Sequence, residues 1–200
     1  ISKNQMKTPL TYYGGKQLLA KRIVSIIPQH KIYCEPFFGG GAVFFVKPPS
    51  KIEVINDTNS ELINFYKVVQ TKCNLLEREI RLTLHSRELY RKACIIYYYP
   101  SLFNEIQRAW ALWTLSAQCY ASIIGSTWSY DKKNNTTVSR MNSKRTSFSK
   151  EYAKRLENVQ IESKDAIYVI KTRDTENTFF YCDPPYHNAD QGHYKGYTEN

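Results

Sequence analysis

No apolar run in this sequence approaches the roughly 20 residues that a membrane-crossing helix needs, so no membrane partner is expected. None of the five cysteines stands in a Cys-x-x-Cys pair, which argues against a zinc knuckle, and their odd number argues against a disulfide framework. The four histidines show no metal-ligand spacing, so no metal is expected. These absences point to a reducing, cytoplasmic setting. Cys34 and Cys182 lie in apolar, strand-like runs and read as small core residues. Two nucleotide fingerprints are missing as well. "EPFFGGGAVF" does not match G-x-G-x-x-G, and "YYGGKQ" lacks the first glycine and the closing Ser or Thr of a Walker A loop. There is no internal repeat and no low-complexity tract.

What is abundant is positive charge and tyrosine. The net charge is +10 and the isoelectric point is near 9.3, a balance that favours a polyanionic partner. Sixteen tyrosines supply aromatic surface for stacking on bases or for packing. A chain of 200 residues can bury a real core.

Along the chain, "QLLAKRIVSII" places Leu18, Leu19, Ile23, Ile26 and Ile27 at helical spacing, and Pro28 ends the pattern. "KIYCEPFFGGG" reads as a strand into a glycine turn, and "AVFF" as the start of a helix. "KIEVIND" is a second strand and "SELINFYKVVQ" a second helix. This alternation is the signature of a parallel sheet with crossover helices. From about 72 to 124 the pattern is helical. Residues 125 to 148 read as a long polar loop, of the kind that is usually functional or disordered. Trp110 and Trp113 fall in an apolar helical pattern and read as core. "VQIES" and "TFFYCDPPY" return to strands, so an α/β scaffold carries a helical insertion with a basic loop.

The glycine turn has Glu35 before it and Asp57 at the end of the next strand. A glycine turn lets a ligand approach the backbone closely, and a carboxylate after the second strand commonly takes ribose hydroxyls. Glu35 beside the turn would repel a pyrophosphate. It suits a ligand with no phosphate and a cationic end, and S-adenosylmethionine (SAM) meets both conditions. The same residues would also serve a plain tight turn with two solvated acids.

"FFYCDPPYHN" runs an apolar strand into two prolines, which cannot donate to a sheet ladder. Phe179, Phe180 and Tyr181 read as the end of a buried strand. Asp183 and Tyr186 then sit where ligands bind in open α/β sheets. An exocyclic amine on adenine is a poor nucleophile, because its lone pair is delocalised into the ring. An acceptor on each amino hydrogen would localise that lone pair. Asp183 can supply one acceptor and the Pro184 carbonyl another, while Tyr186 would stack on the base. A base in a duplex must be flipped out to reach such a pocket, at a cost of a few kcal/mol. The plainer alternative is a proline-ended strand whose Asp183 caps a turn or faces water. His187 reads as substrate-side or exposed.

With these four motifs in order, the chain resembles the Dam-like DNA adenine-N6 methyltransferases. "PLTYYGGK" resembles the family's N-terminal cofactor motif, "EPFFGGGAVF" its glycine motif, "VINDTNSELINFY" its ribose-acid motif and "YCDPPY" its catalytic motif. The resemblance implies a Rossmann-like SAM-dependent methyltransferase sheet with an inserted, mostly helical target-recognition domain. It divides the chain into a SAM-binding first half at 1–70, the helical and basic-loop insertion at 71–155, and a return to the methyltransferase domain at 156–200. It implies that Tyr12, Lys16, Glu35, Pro36, Phe37, Gly39 and Gly41 surround the cofactor. Asp57 would then hold the ribose and Asp165 the cofactor's adenine amino group. Asp183, Pro184, Pro185 and Tyr186 would form the catalytic turn, with Asp183 also bordering the cofactor. The family continues past this turn with further strands. A C-terminal segment or a partner chain is therefore expected to complete the fold, with open strand edges and apolar helix faces left on this one.

Between 131 and 155 stand eight cationic side chains against only Asp131 and Glu151. Lysines neutralise phosphates, whereas Asn and Arg can pair with base edges. By resemblance this is the target-recognition stretch, with Trp128, Tyr130, Lys132, Lys133, Asn134, Asn135, Arg140, Lys144 and Arg145 on double-stranded DNA. On residues alone it would equally be a solvated loop. The expected reaction is methyl transfer from SAM to adenine N6 in DNA. Cytosine-N4 methylation in DNA, adenine methylation of RNA and a catalytically silent DNA-binding fragment remain as alternatives.

Overall fold

A computed structural model describes residues 6–12 and 14–185, without the side chain of Ser122. The chain forms two compact units, one of Ile1–Thr8, Gly14–Ile63 and Glu157–Asn200, the other of Pro9–Tyr13 and Asn64–Leu156. Tyr186 and His187 lie outside the described residues.

The first unit contains helix α1 (Ala20–Ile26) and strands β1 (Ile32–Glu35) and β2 (Ile52–Asn56). The sheet and its cover are completed by β3 (Val159–Glu162), helix α7 (Ala166–Arg173) and β4 (Thr178–Phe180). The strand order is β3-β2-β1-β4 and every pairing is parallel. Cys34 pairs with Val54 on one side and with Phe180 on the other. Cys34, Val54 and Val169 of α7 form a buried cluster with the half-buried Phe180 packed against it, so helix and sheet close over an apolar layer as the alternating sequence requires.

Three expectations change here. "AVFF" forms only a helical turn, with Phe45 N–H on Gly41 O at 3.0 Å and Lys47 N–H on Val43 O at 3.0 Å. Pro48 and Pro49 follow at once, and proline both removes a donor and disfavours helix in the residue before it. Second, β4 is half-buried rather than buried, because it lies at the end of the strand order and pairs only with β1 among the described residues. Third, α1 forms where the spacing placed it, yet only Ala20 in it is buried. Ile26 is 77% exposed, and Leu18 and Leu19, just ahead of the helix, are exposed as well.

The second unit is helical. It holds α2 (Ser60–Leu82, which opens in the first unit and breaks its helical backbone at Lys72), α3 (Arg87–Tyr98) and α4 (Glu105–Gln118). Next come α5 (Thr136–Ser147) and α6 (Glu151–Leu156), with short 3₁₀ turns at Pro100–Leu102 and Tyr120–Ser122. Local sequence explains the starts. Ser86 Oγ accepts the Leu89 N–H, and Asn104 with Gln107 forms a reciprocal capping box. Trp113, Leu76 and Ile80 are fully buried. Trp110 is only half-buried. Its indole N–H donates to Thr83 Oγ1 at 2.7 Å, and its ring lines an open cleft of about 490 Å³ with Leu75, Leu89 and Ile96.

The polar stretch 125–148 is not a loop throughout, because α5 occupies its second half. Thr, Ser and Asn are poor helix formers, so tertiary contacts must hold this helix. Asp131 accepts from Thr137 N and Thr137 Oγ1, both at 2.6 Å, and from Thr136 Oγ1 at 3.0 Å. These bonds hold the Asp131 carboxyl below its ordinary range. Met141 is fully buried and anchors the inner face.

Gly41 is required by its backbone. Its φ is +67°, and a Cβ there would meet the Phe38 ring at 2.5 Å. Phe38 is buried and packs edge-on against Phe44 at 5.5 Å, so it has little room to yield. The left-handed conformation costs a non-glycine residue about 1–2 kcal/mol, and overpacking adds about 1–3 kcal/mol. Gly41→Ala is therefore expected to lose about 3 kcal/mol in urea unfolding. A loss under about 1 kcal/mol would show that the turn can relax.

Candidate cofactor and catalytic site

Every strand of the parallel sheet hands the chain to a carboxylate at the same edge. Glu35 closes β1, Asp57 follows β2, Asp165 follows β3 and Asp183 follows β4. This is the edge at which open α/β sheets bind ligands.

The glycine turn is fastened to β2 by hydrogen bonds. Phe38 N–H donates to Asn56 O at 2.9 Å, and Gly39 N–H donates to Asp57 Oδ2 at 2.9 Å. Asp57 Oδ1 accepts the Asn59 N–H at 2.9 Å. Burial pushes the Asp57 carboxyl above its ordinary value, and the backbone donors pull against that rise. Gly39, like Gly41, has positive φ, at 50°, so the loop turns tightly beside the Asp57 carboxylate. Pro36 is buried and Phe37 half-buried at the mouth of the turn.

Sequence reading missed Asn56. Its side chain is fully buried and donates to Pro36 O at 2.9 Å and Lys164 O at 3.0 Å, while its Oδ1 accepts Lys164 N–H at 2.9 Å. One amide thus holds the loops after β1 and β3 together. An Asn closing an otherwise apolar strand was the available signal, since a buried amide must find partners.

Asp165 is exposed, and its Oδ1 caps α7 by accepting the Tyr168 N–H at 3.1 Å. Glu35 is almost fully buried and accepts the Tyr33 hydroxyl at 2.5 Å. Lys16 lies against Asp183, with Nζ 2.9 Å from Oδ1 and 2.7 Å from Oδ2, and also donates to Gly14 O at 3.0 Å. The first and last motifs of the sequence therefore meet in one ion pair. Past β4, Tyr181 N–H still bonds Cys34 O at 2.9 Å, and then the chain leaves the sheet through Asp183, Pro184 and Pro185. Cys182, expected in the core, is exposed, because the ladder has ended by that residue. Cys34 is buried, as expected. Tyr12 belongs to the second unit.

Within the second unit the basic candidates separate into two groups. Lys132, Lys133, Asn134, Asn135 and Arg140 are exposed. Lys144 and Arg145, expected on DNA, are half-buried and bonded internally. Lys144 donates to Thr11 Oγ1 and to Ser116 O, the latter at 3.3 Å, and Arg145 donates to Thr83 O at 3.1 Å. Their long stems lie along the fold, which a list of charges does not reveal. Trp128 stacks on His85 at 4.7 Å and on Tyr130 at 5.9 Å, with the Arg87 guanidinium over both Trp128 and Tyr130. Its indole N–H donates to the buried Gln118 Oε1 at 3.0 Å. His85, Arg87 and Gln118 carry no motif and were missed. Burial pushes the His85 imidazole below its ordinary value.

Lys144 gives a test of its burial. Desolvation pushes it from 10.5 down to about 8. A lysine whose folded value lies below its unfolded value destabilises the fold while charged, and that penalty fades as pH rises from about 8 to about 10.5. Wild type is therefore expected to gain stability relative to Lys144→Met across that window in urea melts. Parallel curves for the two proteins would show a solvated ammonium.

Residues 12–200 match the family described as D12 class N6 adenine-specific DNA methyltransferase. The chain belongs to this family. It is 44% identical over 91 residues to the Type II methyltransferase M1.LlaDCHI of Lactococcus lactis subsp. cremoris, a match covering 44% of this chain and 31% of that protein. It is 41% identical over 63 residues to the DNA N-6-adenine-methyltransferase of Escherichia phage P1, covering 32% of this chain and 8% of the phage protein. A longer match, 29% identical over 206 residues, joins it to the Type II methyltransferase M.MjaIII of Methanocaldococcus jannaschii, covering 91% and 70%. The chain thus spans less than a third of the Lactococcus relative and under a tenth of the phage one. Family membership agrees with the parallel sheet and the order of the four motifs. Among the described residues no helix is long and apolar enough to cross a membrane, and no group of three His, Cys, Asp or Glu side chains could hold a metal.

Proposed function

We propose that this chain binds SAM and transfers its methyl group to N6 of adenine in duplex DNA. The observation that carries this reading is the row of four carboxylates, one after each parallel strand, on a single sheet edge. The residues present suit SAM. The glycine turn permits close approach, Asp57 can accept from ribose hydroxyls, and Asp165 lies beyond β3 for an amino group. Glu35 suits a cationic end. When bound, SAM supplies a methyl group activated on a sulfonium.

Asp183 accepts a hydrogen bond from one hydrogen of the target amine and the Pro184 carbonyl accepts one from the other, which draws the nitrogen lone pair out of the ring. As N6 gained the methyl, the S–CH3 bond pair would stay with sulfur as a neutral thioether, and the surplus N6 proton would leave past Asp183 to solvent. Tyr186 stacks on the flipped base. Lys16 holds Asp183 beforehand, and the incoming amine must share that carboxylate with it. Asp183 stays an acceptor and forms no covalent bond to the substrate. The insertion at 71–155 takes the duplex, with Lys132 and Lys133 on phosphates and the Trp128 and Tyr130 rings, with Asn134, Asn135 and Arg140, toward the bases.

Incubating the chain with methyl-labelled SAM and unmethylated DNA, then digesting to nucleosides, tests this. Labelled N6-methyladenine is expected. Labelled N4-methylcytosine would replace the substrate while keeping the amine chemistry. Salt-dependent DNA binding with no label from this chain would favour a silent binding module.

A further inference from the structure

Glu35 does not stand alone in the first unit. Tyr33, two residues earlier on β1 and so on the same face of the strand, is fully buried and donates its hydroxyl to Glu35 Oε1 at 2.5 Å. Above the Tyr33 ring lies the Lys47 ammonium, 4.3 Å from its centre. Lys47 is held there by Glu53 Oε1 at 2.5 Å, Pro48 O at 2.7 Å and Ser50 Oγ at 2.9 Å. Phe179 stacks on the same ring at 6.1 Å, and His30 leans on it at 5.7 Å.

Packing alone does not explain this arrangement. Phenylalanine would fill the site equally well, so the hydroxyl is there for Glu35. A buried Lys–Glu pair is a costly way to support a ring, because both charges leave water. A cation over the ring draws electron density from the phenol and strengthens its donation. Burial and the neighbouring Glu35 carboxylate push the Tyr33 phenol far above its ordinary value, so it stays protonated and remains a donor.

We propose that Tyr33 is a positioning residue for the cofactor. Its hydroxyl fixes the Glu35 carboxylate so that it meets the cationic amino-acid end of SAM, and Lys47 polarises the phenol from behind. The proposal rests on the reading of Glu35 as a SAM contact, and the test separates the two.

Tyr33→Phe, Glu35→Gln and the double variant are titrated by calorimetry with SAM and with 5′-methylthioadenosine, which has the adenosine but neither cation. Tyr33→Phe is expected to weaken SAM about tenfold, the cost of one charge-assisted hydrogen bond, and to leave methylthioadenosine within about twofold. The double variant should bind SAM little worse than Glu35→Gln alone, because the hydroxyl acts only through that carboxylate. Equal loss for both ligands would make Tyr33 a packing residue and overturn the proposal. Wild-type SAM affinity in Tyr33→Phe, with affinity lost in Glu35→Gln, would overturn it and leave Glu35 in place. Unchanged SAM affinity in Glu35→Gln would remove Glu35 from the site, and the proposal with it.

Discussion

Asp183→Ala is expected to lower methyl transfer by about a thousandfold while leaving SAM affinity within a few-fold. The reaction needs the amine lone pair withdrawn from the ring, and this charge develops only on the way to the transition state. Deleting one preorganised polar partner of developing charge typically costs about 10²–10³ in rate. Asp183→Asn should be nearly as damaging. Its amide offers donors where the substrate amine also offers donors, and one of its two acceptors is gone. Stability must be read beside the rate, since the Lys16–Asp183 pair keeps only 21% and 26% of its side chains exposed, and removing one partner of a largely buried pair destabilises through the charge left behind. Single-turnover rates with labelled SAM, beside calorimetric affinities and a thermal melt, separate these effects. Rate and SAM affinity falling together would mean that Asp183 serves the cofactor first.

The parts of this molecule legible in its sequence are those set by periodicity and by chain punctuation. The strands β1, β2, β3 and β4 announced themselves as short apolar runs, each followed by an acid. Burial was harder to read. The period that marks α1 is real, yet its apolar residues are largely exposed, because a period records which side chains share a face and not what covers that face. Charge was silent in the same way at Lys144 and Arg145. A basic residue in a basic stretch reads as a DNA contact, but depth decides whether its donors turn inward, as these do to Ser116 O and Thr83 O. Helix α5 was hidden because its propensity is poor and the caps and contacts that hold it come from Asp131 and the core. Asn56 and Gln118 were missed because their partners lie far along the chain, 108 positions in the bonds between Asn56 and Lys164, and no local pattern encodes such a partner. Tyr33 and Lys47 have near partners, Glu35 and Glu53, and were missed because the sequence does not show that these polar groups are buried together.

Asp57→Ala is expected to weaken SAM binding by about a hundredfold before it changes the chemical step. A half-buried carboxylate accepting two ribose hydroxyls makes two charge-assisted bonds, each contributing about 1.5 kcal/mol or more, which together amount to about two decades in affinity. The variant also leaves the Gly39 and Asn59 N–H groups without the acceptor they now share, so part of the loss comes from a loosened glycine turn. Asp57→Asn distinguishes the two contributions. Its side-chain oxygen can still hold one backbone donor, while its amide cannot accept from a hydroxyl. The pH dependence has a fixed sign. Burial has raised the Asp57 value, and only the ionised form accepts two hydroxyls fully. Affinity should therefore fall as pH drops through that raised value, and SAM binding should draw the value back down and release protons. Calorimetry in buffers of different ionisation enthalpy measures this release directly. Asp57→Asn should abolish both the release and the acid fall-off. A wild-type affinity that is flat through the acid range, or an Asp57→Ala variant that binds SAM as wild type does, would take the ribose away from Asp57 and leave it only the task of tying the glycine turn to β2.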